Sequence, residues 1–149
     1  MPIDEFCNRE VIFASRKMSI QDAARLMRQH HVGDLVVVDE IGGRRVPVGV
    51  VTDRDIVIEI VANGLKLEDF TVGDIMSPQL VTVQTDDGVL DTIQLMRSKG
   101  VRRVPVVGRD GGLEGVVSAD DMLGLLAEEM TDLSRVAPRE RAREAHIRV

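Results

Sequence analysis

The chain contains itself twice. From Asp22 to Val38 it matches Asp91 to Val107 at an offset of 69 residues: Leu26-Met27-Arg28 answers Leu95-Met96-Arg97, and Val37-Val38 answers Val106-Val107. From the glycines onward the offset becomes 66, with Gly49-Val50-Val51-Thr52-Asp53-Arg54-Asp55 set against Gly115-Val116-Val117-Ser118-Ala119-Asp120-Asp121. The change of three falls where Gly42-Gly43-Arg44-Arg45 reads as a turn. A length change confined to a turn is what two copies of one folded unit show. A unit of about 65 residues is marginal alone, so the two copies are expected to bury surface against each other. The repeat therefore predicts an internal pseudo-twofold with paired clefts.

Each copy reads as strand, helix, strand, strand, helix. In the first, Val11-Ile12-Phe13-Ala14 suits a strand, and Ser19 starts a helix in which Ile20, Ala23, Ala24 and Met27 recur at helical spacing, ending at His30-His31. Leu35 to Val38 is a β-branched run bounded by Gly33-Asp34 and Asp39, hence a buried strand. Val46 to Val51 is its hairpin partner, and Asp53 to Asn63 a helix with Gly64 at its C-terminal cap. Leu65 to Gly73 reads as a connector. The order then recurs: a strand over Leu80–Val83, a helix from Asp86 or Asp87 to Lys99, strands over Val104–Val107 and Leu113–Val117, and a helix from Ala119 to about Met130. Residues 1–10 read as a polar lead-in. By sequence order the divisions are 1–70 for the first repeat with its lead-in, 71–132 for the second, and 133–149 for a basic tail. Pro138 interrupts that tail, and Arg139 to Arg148 reads as a short charged helix or a disordered end.

Composition narrows the function classes. Net charge is −6, but residues 135–149 carry five Arg against two Glu, which leaves −9 on the rest. An acidic body opposes nonspecific duplex binding, and with three Phe and no Trp or Tyr, stacking platforms for single strands are nearly absent. No apolar run is long enough to span a bilayer. The lone Cys7 cannot form an internal disulfide, and the first twenty residues hold Asp4, Glu5, Arg9, Glu10, Arg16 and Lys17 with no apolar run of signal-peptide length. The expectation is a soluble cytoplasmic protein without nucleic-acid or membrane partners.

The tandem unit, with an Asp after Gly-Val-Val-[Thr/Ser]-x-x in both copies, resembles the CBS domain pair, also called the Bateman module. Asp74-Ile75-Met76-Ser77-Pro78 leading into Val81-Thr82-Val83, and Val101-Arg102-Arg103-Val104-Pro105-Val106-Val107, carry the same resemblance, which runs from about Val11 to Met130. It implies an α/β fold of tandem β-α-β-β-α repeats packed as a pseudo-twofold pair, usually dimerised into a flat disc. It also implies binding of adenine nucleotides or related adenosyl compounds in the clefts. Carried over by position, the ribose would be held by Thr52 and Asp55 in one copy and by Ser118 and Asp121 in the other. Gly33-Asp34 and Arg102-Arg103 would line the clefts, and the runs holding Ala14 and Thr82 would supply walls for the adenine ring. The chemistry is coherent: a carboxylate accepts from two vicinal hydroxyls, a helix N-terminus lies beside it, and Arg grips phosphate.

The copies differ where charge matters. Arg102-Arg103 stands where the first repeat has Gly33-Asp34, and Asp120 stands where the first has Arg54. Unequal clefts follow, and the combination of Ser118 and Asp121 with Arg102-Arg103 is the favoured one. The same residues also admit readings without a ligand. Thr52-x-x-Asp55 and Ser118-x-x-Asp121 fit helix capping boxes, and Arg102-Arg103 fits solvated residues entering a strand. His30-His31 suits the negative end of a helix dipole. The methionines read as core filler and Cys7 as passive. Asp120, Asp121 and Glu114 would attract Mg²⁺ only alongside a bound ligand's phosphates; no resident cofactor or metal is expected.

Three function classes remain to be weighed. The first is a regulatory module that binds AMP, ADP or ATP, forms a homodimer and signals to an unknown protein partner. S-adenosylmethionine, NADH and cyclic dinucleotides share the same ribose chemistry. The second is a ligand-free structural or protein-interaction dimer. An enzyme is poorly supported: there is no phosphate-binding loop ending in Gly-Lys-Ser/Thr and no nucleophile–base constellation.

Overall fold

A computed structural model describes residues 1–148. It contains two three-stranded sheets, one per repeat, each with the same mixed topology. In the first, β1 (Phe13–Ala14) runs parallel to β2 (Asp34–Ile41), which forms a hairpin with β3 (Arg44–Thr52). Helix α1 (Ile20–His30) makes the crossover, capped by the Ser19 hydroxyl, which accepts from Asp22 N at 3.0 Å. After Thr52, α2 (Asp53–Asp55) runs straight into a π-helical stretch, Ile56–Val61, in which Ala62 N donates to Val57 O. A short α3 (Val72–Ile75) closes the connector, where no helix is expected from sequence. The second repeat repeats the plan with β4 (Val83–Gln84), α4 (Val89–Lys99), β5 (Arg103–Val107), β6 (Leu113–Ser118) and α5 (Ala119–Ser134).

The β-hairpins carry a register shift at equivalent positions, Val37/Val38 and Val106/Val107. Both first strands are shorter than their apolar runs. Only Phe13–Ala14 and Val83–Gln84 pair with the sheets, because Ile12 and Val81 leave the ladder to line clefts. Helix α4 starts at Val89 rather than Asp86 or Asp87; the Asp87 carboxylate instead accepts from Gln84 N at 2.8 Å, closing the turn before it. Helix α5 runs on to Ser134, and α6 (Val136–Ile147) follows after a kink at Arg135. Pro138 does not break the tail. It sits in the first turn of α6, where its missing N–H has no intrahelical partner to lose.

The lead-ins decide how the halves join. Residues 1–10 are not merely polar: Ile3 is fully buried in the second repeat's core with Val83, Val89, Val104 and Val117, and Phe6 and Cys7 pack on the same cluster. Val72 is likewise buried in the first repeat's core with Ala23, Leu35, Val37 and Val51, with Met76 alongside. Backbone bonds anchor both crossings. Asn8 exchanges hydrogen bonds with Val116, and Ser77 with Val50. Each lead-in thus adds an edge bridge to the hairpin of one repeat while its own strand and helix belong to the other. Gly49 and Gly115 make this possible, since a Cβ at either would lie 2.6 Å from the crossing segment (Ser77 O and Cys7 Sγ respectively). Burial of its own segment against β6 pushes the Cys7 thiol up, which favours the protonated form.

Candidate functional site

Because each lead-in crosses over, the clefts between the repeats are built from both. One, of about 300 Å³, joins Ser118 and Asp121 to Asn8, Glu10, Ile12 and Val32. The other, of about 290 Å³, joins Thr52 and Asp55 to Ser77, Gln79, Val81 and Val101. The two lists correspond position by position, Asn8 to Ser77, Glu10 to Gln79, Ile12 to Val81 and Val32 to Val101. Asp34 and Arg103 line both clefts.

At the start of each second helix a capping box is formed. Asp55 N donates to Thr52 Oγ1 at 3.0 Å, and Thr52 N donates to Asp55 Oδ2 at 2.9 Å. Asp121 N donates to Ser118 Oγ at 3.0 Å, with the return bond from Ser118 N to Asp121 Oδ2 at 3.3 Å. The ligand-free role of these residues is therefore real, and it leaves their ligand chemistry open. In each box the hydroxyl accepts and keeps its proton to donate. Only one carboxylate oxygen is engaged, so the Oδ1 of Asp55 and of Asp121 faces no hydrogen-bond donor among the described residues. That free oxygen is what a sugar hydroxyl needs.

The remaining expected residues distribute unevenly. Arg102 lies in the Thr52–Asp55 cleft rather than with Ser118 and Asp121, where only Arg103 reaches. It also meets Asp120 at 3.3 Å, an exposed pair worth little. Gly33 lines neither cleft; its carbonyl accepts from Asp53 N, and its Cα faces the Asp53 carboxylate. Ala14 is fully buried in the first core, and Thr82 lies outside both cleft linings, so the neighbouring Ile12 and Val81 supply the apolar walls instead. Phe13 is covered by Arg45, whose guanidinium carbon stands 4.3 Å from the ring centroid. Glu114 pairs with Arg9, and Asp120 with Arg102, so the three acids named above turn to different partners. Among the described residues no group of three His, Cys, Asp or Glu could hold a metal ion.

The sequence reading missed Asn8, Glu10, Ser77 and Gln79 as lining residues. The offset of 69 would have found them: carried back to the amino terminus, it sets Ile3 against Val72, Cys7 against Met76 and Asn8 against Ser77.

Asp34 and Arg103 are also equivalent positions of the two copies, and they pair with each other, Arg103 Nε lying 3.3 Å from Asp34 Oδ1. Burial pushes the Asp34 carboxyl above the usual carboxylate range; Arg103 pulls it down and Asp53 adds to the rise. A carboxyl whose pKa rises on folding holds its proton more tightly in the native chain, so its ionisation subtracts from stability. The cost is absent at pH below the ordinary value of 3.8 and sets in as pH climbs through the higher native value. Asp34→Asn removes it. In urea titrations from pH 3 to pH 7, the variant is expected to gain on the wild type as pH rises; a constant difference across that range would contradict the assignment. Arg103, with 43% of its side chain exposed, is solvated without its partner.

The CBS-domain family profile matches residues 3–62 and 72–128, and the chain belongs to the CBS-domain family, as a tandem pair. An uncharacterized protein of Methanopyrus kandleri is 36% identical over 81% of this chain, which spans only 60% of that relative's length. The CBS domain-containing protein YhcV of Bacillus subtilis is 35% identical, with 76% of each chain covered. Among solved structures, the CBS domain pair of protein MJ0100, in complex with 5′-methylthioadenosine and S-adenosyl-L-methionine, superposes with a TM-score of 0.72 at 27% identity, covering 85% of this chain and 99% of that one. No helix of the described residues is long and apolar enough to cross a membrane.

Proposed function

We propose that the protein is a non-catalytic cytoplasmic sensor that binds an adenosine-bearing ligand in its clefts and passes occupancy to a protein partner. One observation carries this reading: a hydroxyl and a half-free carboxylate at a helix start face a cleft of about 290 Å³ that also holds Arg102 and Arg103. Thr52 and Asp55 would grip the ribose, Val81 and Val101 would flank the base, and the two guanidiniums would meet a phosphate. AMP, ADP and ATP are the preferred ligands, with Mg²⁺ entering only on their phosphates. The adenosyl compounds bound by the MJ0100 pair support the class of ligand. Output through a homodimer is favoured by apolar side chains left exposed on the second helices, Val57 and Val61 on one and Leu123, Leu126 and Met130 on the other.

A thermal-shift panel with AMP, ADP, ATP, S-adenosylmethionine, NADH and cyclic di-AMP tests it. At ligand concentrations of about 100 times Kd, binding to the native state adds about 2.7 kcal/mol. Asp55→Ala is expected to weaken AMP binding by about 1–3 kcal/mol, since ribose hydroxyls lose a charged acceptor; Asp121→Ala should do the same to any ligand of the other cleft. Unchanged affinities in both variants would refute the site. No shift with any compound would leave the exposed apolar helices, and hence a ligand-free interaction dimer, as the reading.

A further inference from the structure

The two clefts differ in charge, one acidic and the other balanced, and share one ion pair. The Ser118–Asp121 cleft is lined by Glu10, Asp34 and Asp121 with Arg103 as its one cation. The Thr52–Asp55 cleft sets Arg102 and Arg103 against Asp34 and Asp55. Equivalent positions make the difference: Gln79 in the second cleft replaces Glu10 in the first, and Arg102 lines the second whereas its counterpart Gly33 lines neither. Between them, Arg103 and Asp34 meet at 3.3 Å where both clefts open.

We propose that the Asp34–Arg103 pair couples the clefts, so that an anionic adenosine ligand in the Thr52–Asp55 cleft and a cationic one in the Ser118–Asp121 cleft bind together, while two anionic ligands exclude each other. This rests on the adenosine reading above and adds to it a rule for which ligands coexist. The Arg103 guanidinium lines both clefts and is the one positive charge they share. A phosphate beside Arg102 draws Arg103 towards itself, since a charge-assisted bond to phosphate competes directly with the bond to Asp34. Asp34 is then left half-buried and unpaired, an arrangement that a cation in the adjoining cleft relieves. A second phosphate in that cleft would instead face Glu10, Asp34 and Asp121 with the guanidinium already engaged. The coupling is between equilibrium affinities, so each ligand must change the other's by the same factor.

Two probes on one scaffold isolate the charge: AMP, and 5′-amino-5′-deoxyadenosine, which carries an ammonium where AMP carries its phosphate. Calorimetric titration of the full chain is expected to show one AMP per chain. Saturating AMP should tighten the amino compound about fivefold or more, with the reciprocal gain for AMP. In Asp34→Asn the gain should fall to about onefold, and in Arg103→Gln AMP should weaken while the gain is lost. Two equal, independent AMP sites per chain overturn the coupling but leave the adenosine reading standing. So does an amino compound that fails to bind, or whose affinity AMP does not change, or a gain that persists in Asp34→Asn. Failure of both probes to bind overturns the coupling, and failure of every compound of the thermal-shift panel overturns the adenosine reading with it.

Discussion

Replacing Ile3 with alanine is expected to lower the unfolding free energy by about 2–5 kcal/mol, the range for truncating a large aliphatic side chain in a packed core. The side chain is fully buried among Val83, Val89, Val104 and Val117, all from the repeat that begins some seventy residues later. Its neighbours sit on strands and on α4, which are held by their own ladders, so the void would persist rather than collapse. Against a typical total of about 5–15 kcal/mol, such a loss is large. Ile3 N also donates to Asp87 O at 2.8 Å, and that bond would weaken with the anchor gone. Urea denaturation of wild type and variant measures the effect. A loss below about 1 kcal/mol would mean that the lead-in is a loosely attached arm. Loss of the lead-in would also strip Asn8 and Glu10 from the Ser118–Asp121 cleft, so ligand binding there should fall in step.

Gly49→Ala should be similarly disruptive for a different reason. The strand conformation at Gly49 suits any residue, but an added Cβ would lie 2.6 Å from Ser77 O and 3.0 Å from Met76 Sδ. The methionine can move; the carbonyl cannot without breaking the pair of backbone bonds that Ser77 exchanges with Val50, at 3.2 and 2.9 Å. Overpacking at such a point costs about 1–3 kcal/mol. Because Ser77 and Val50 both line the Thr52–Asp55 cleft, the same substitution should weaken ligands there more than in the other cleft. A variant of wild-type stability and unchanged binding would show that the crossing segment is free to shift.

How much was legible beforehand follows from what kind of signal each feature leaves. Ser19, Thr52 and Ser118 announced their helices because a cap is a local bond between a hydroxyl and a backbone N–H three residues on. The valine runs announced the hairpins, and Gly64 its cap with φ 64°. The helix at 72–75 was not expected, and the one at 136–147 was expected only as one of two readings. The first is held by burial of Val72 under another repeat's sheet, and the second is a charged segment in which Pro138 happens to fall within the first turn.

By itself the sequence determined the repeat, the element order, the α/β class and the two hydroxyl–carboxylate pairs, since all of these are written in periodicity, capping and spacing within a few residues. Only the tertiary structure decided that each lead-in completes the other repeat's core, that Arg102 faces Thr52 and Asp55, and that the equivalent residues Asp34 and Arg103 close on each other between the clefts. Those are contacts between segments far apart in the sequence. Their partners are selected by which apolar faces are left uncovered once each hairpin has formed, and no local pattern records that choice.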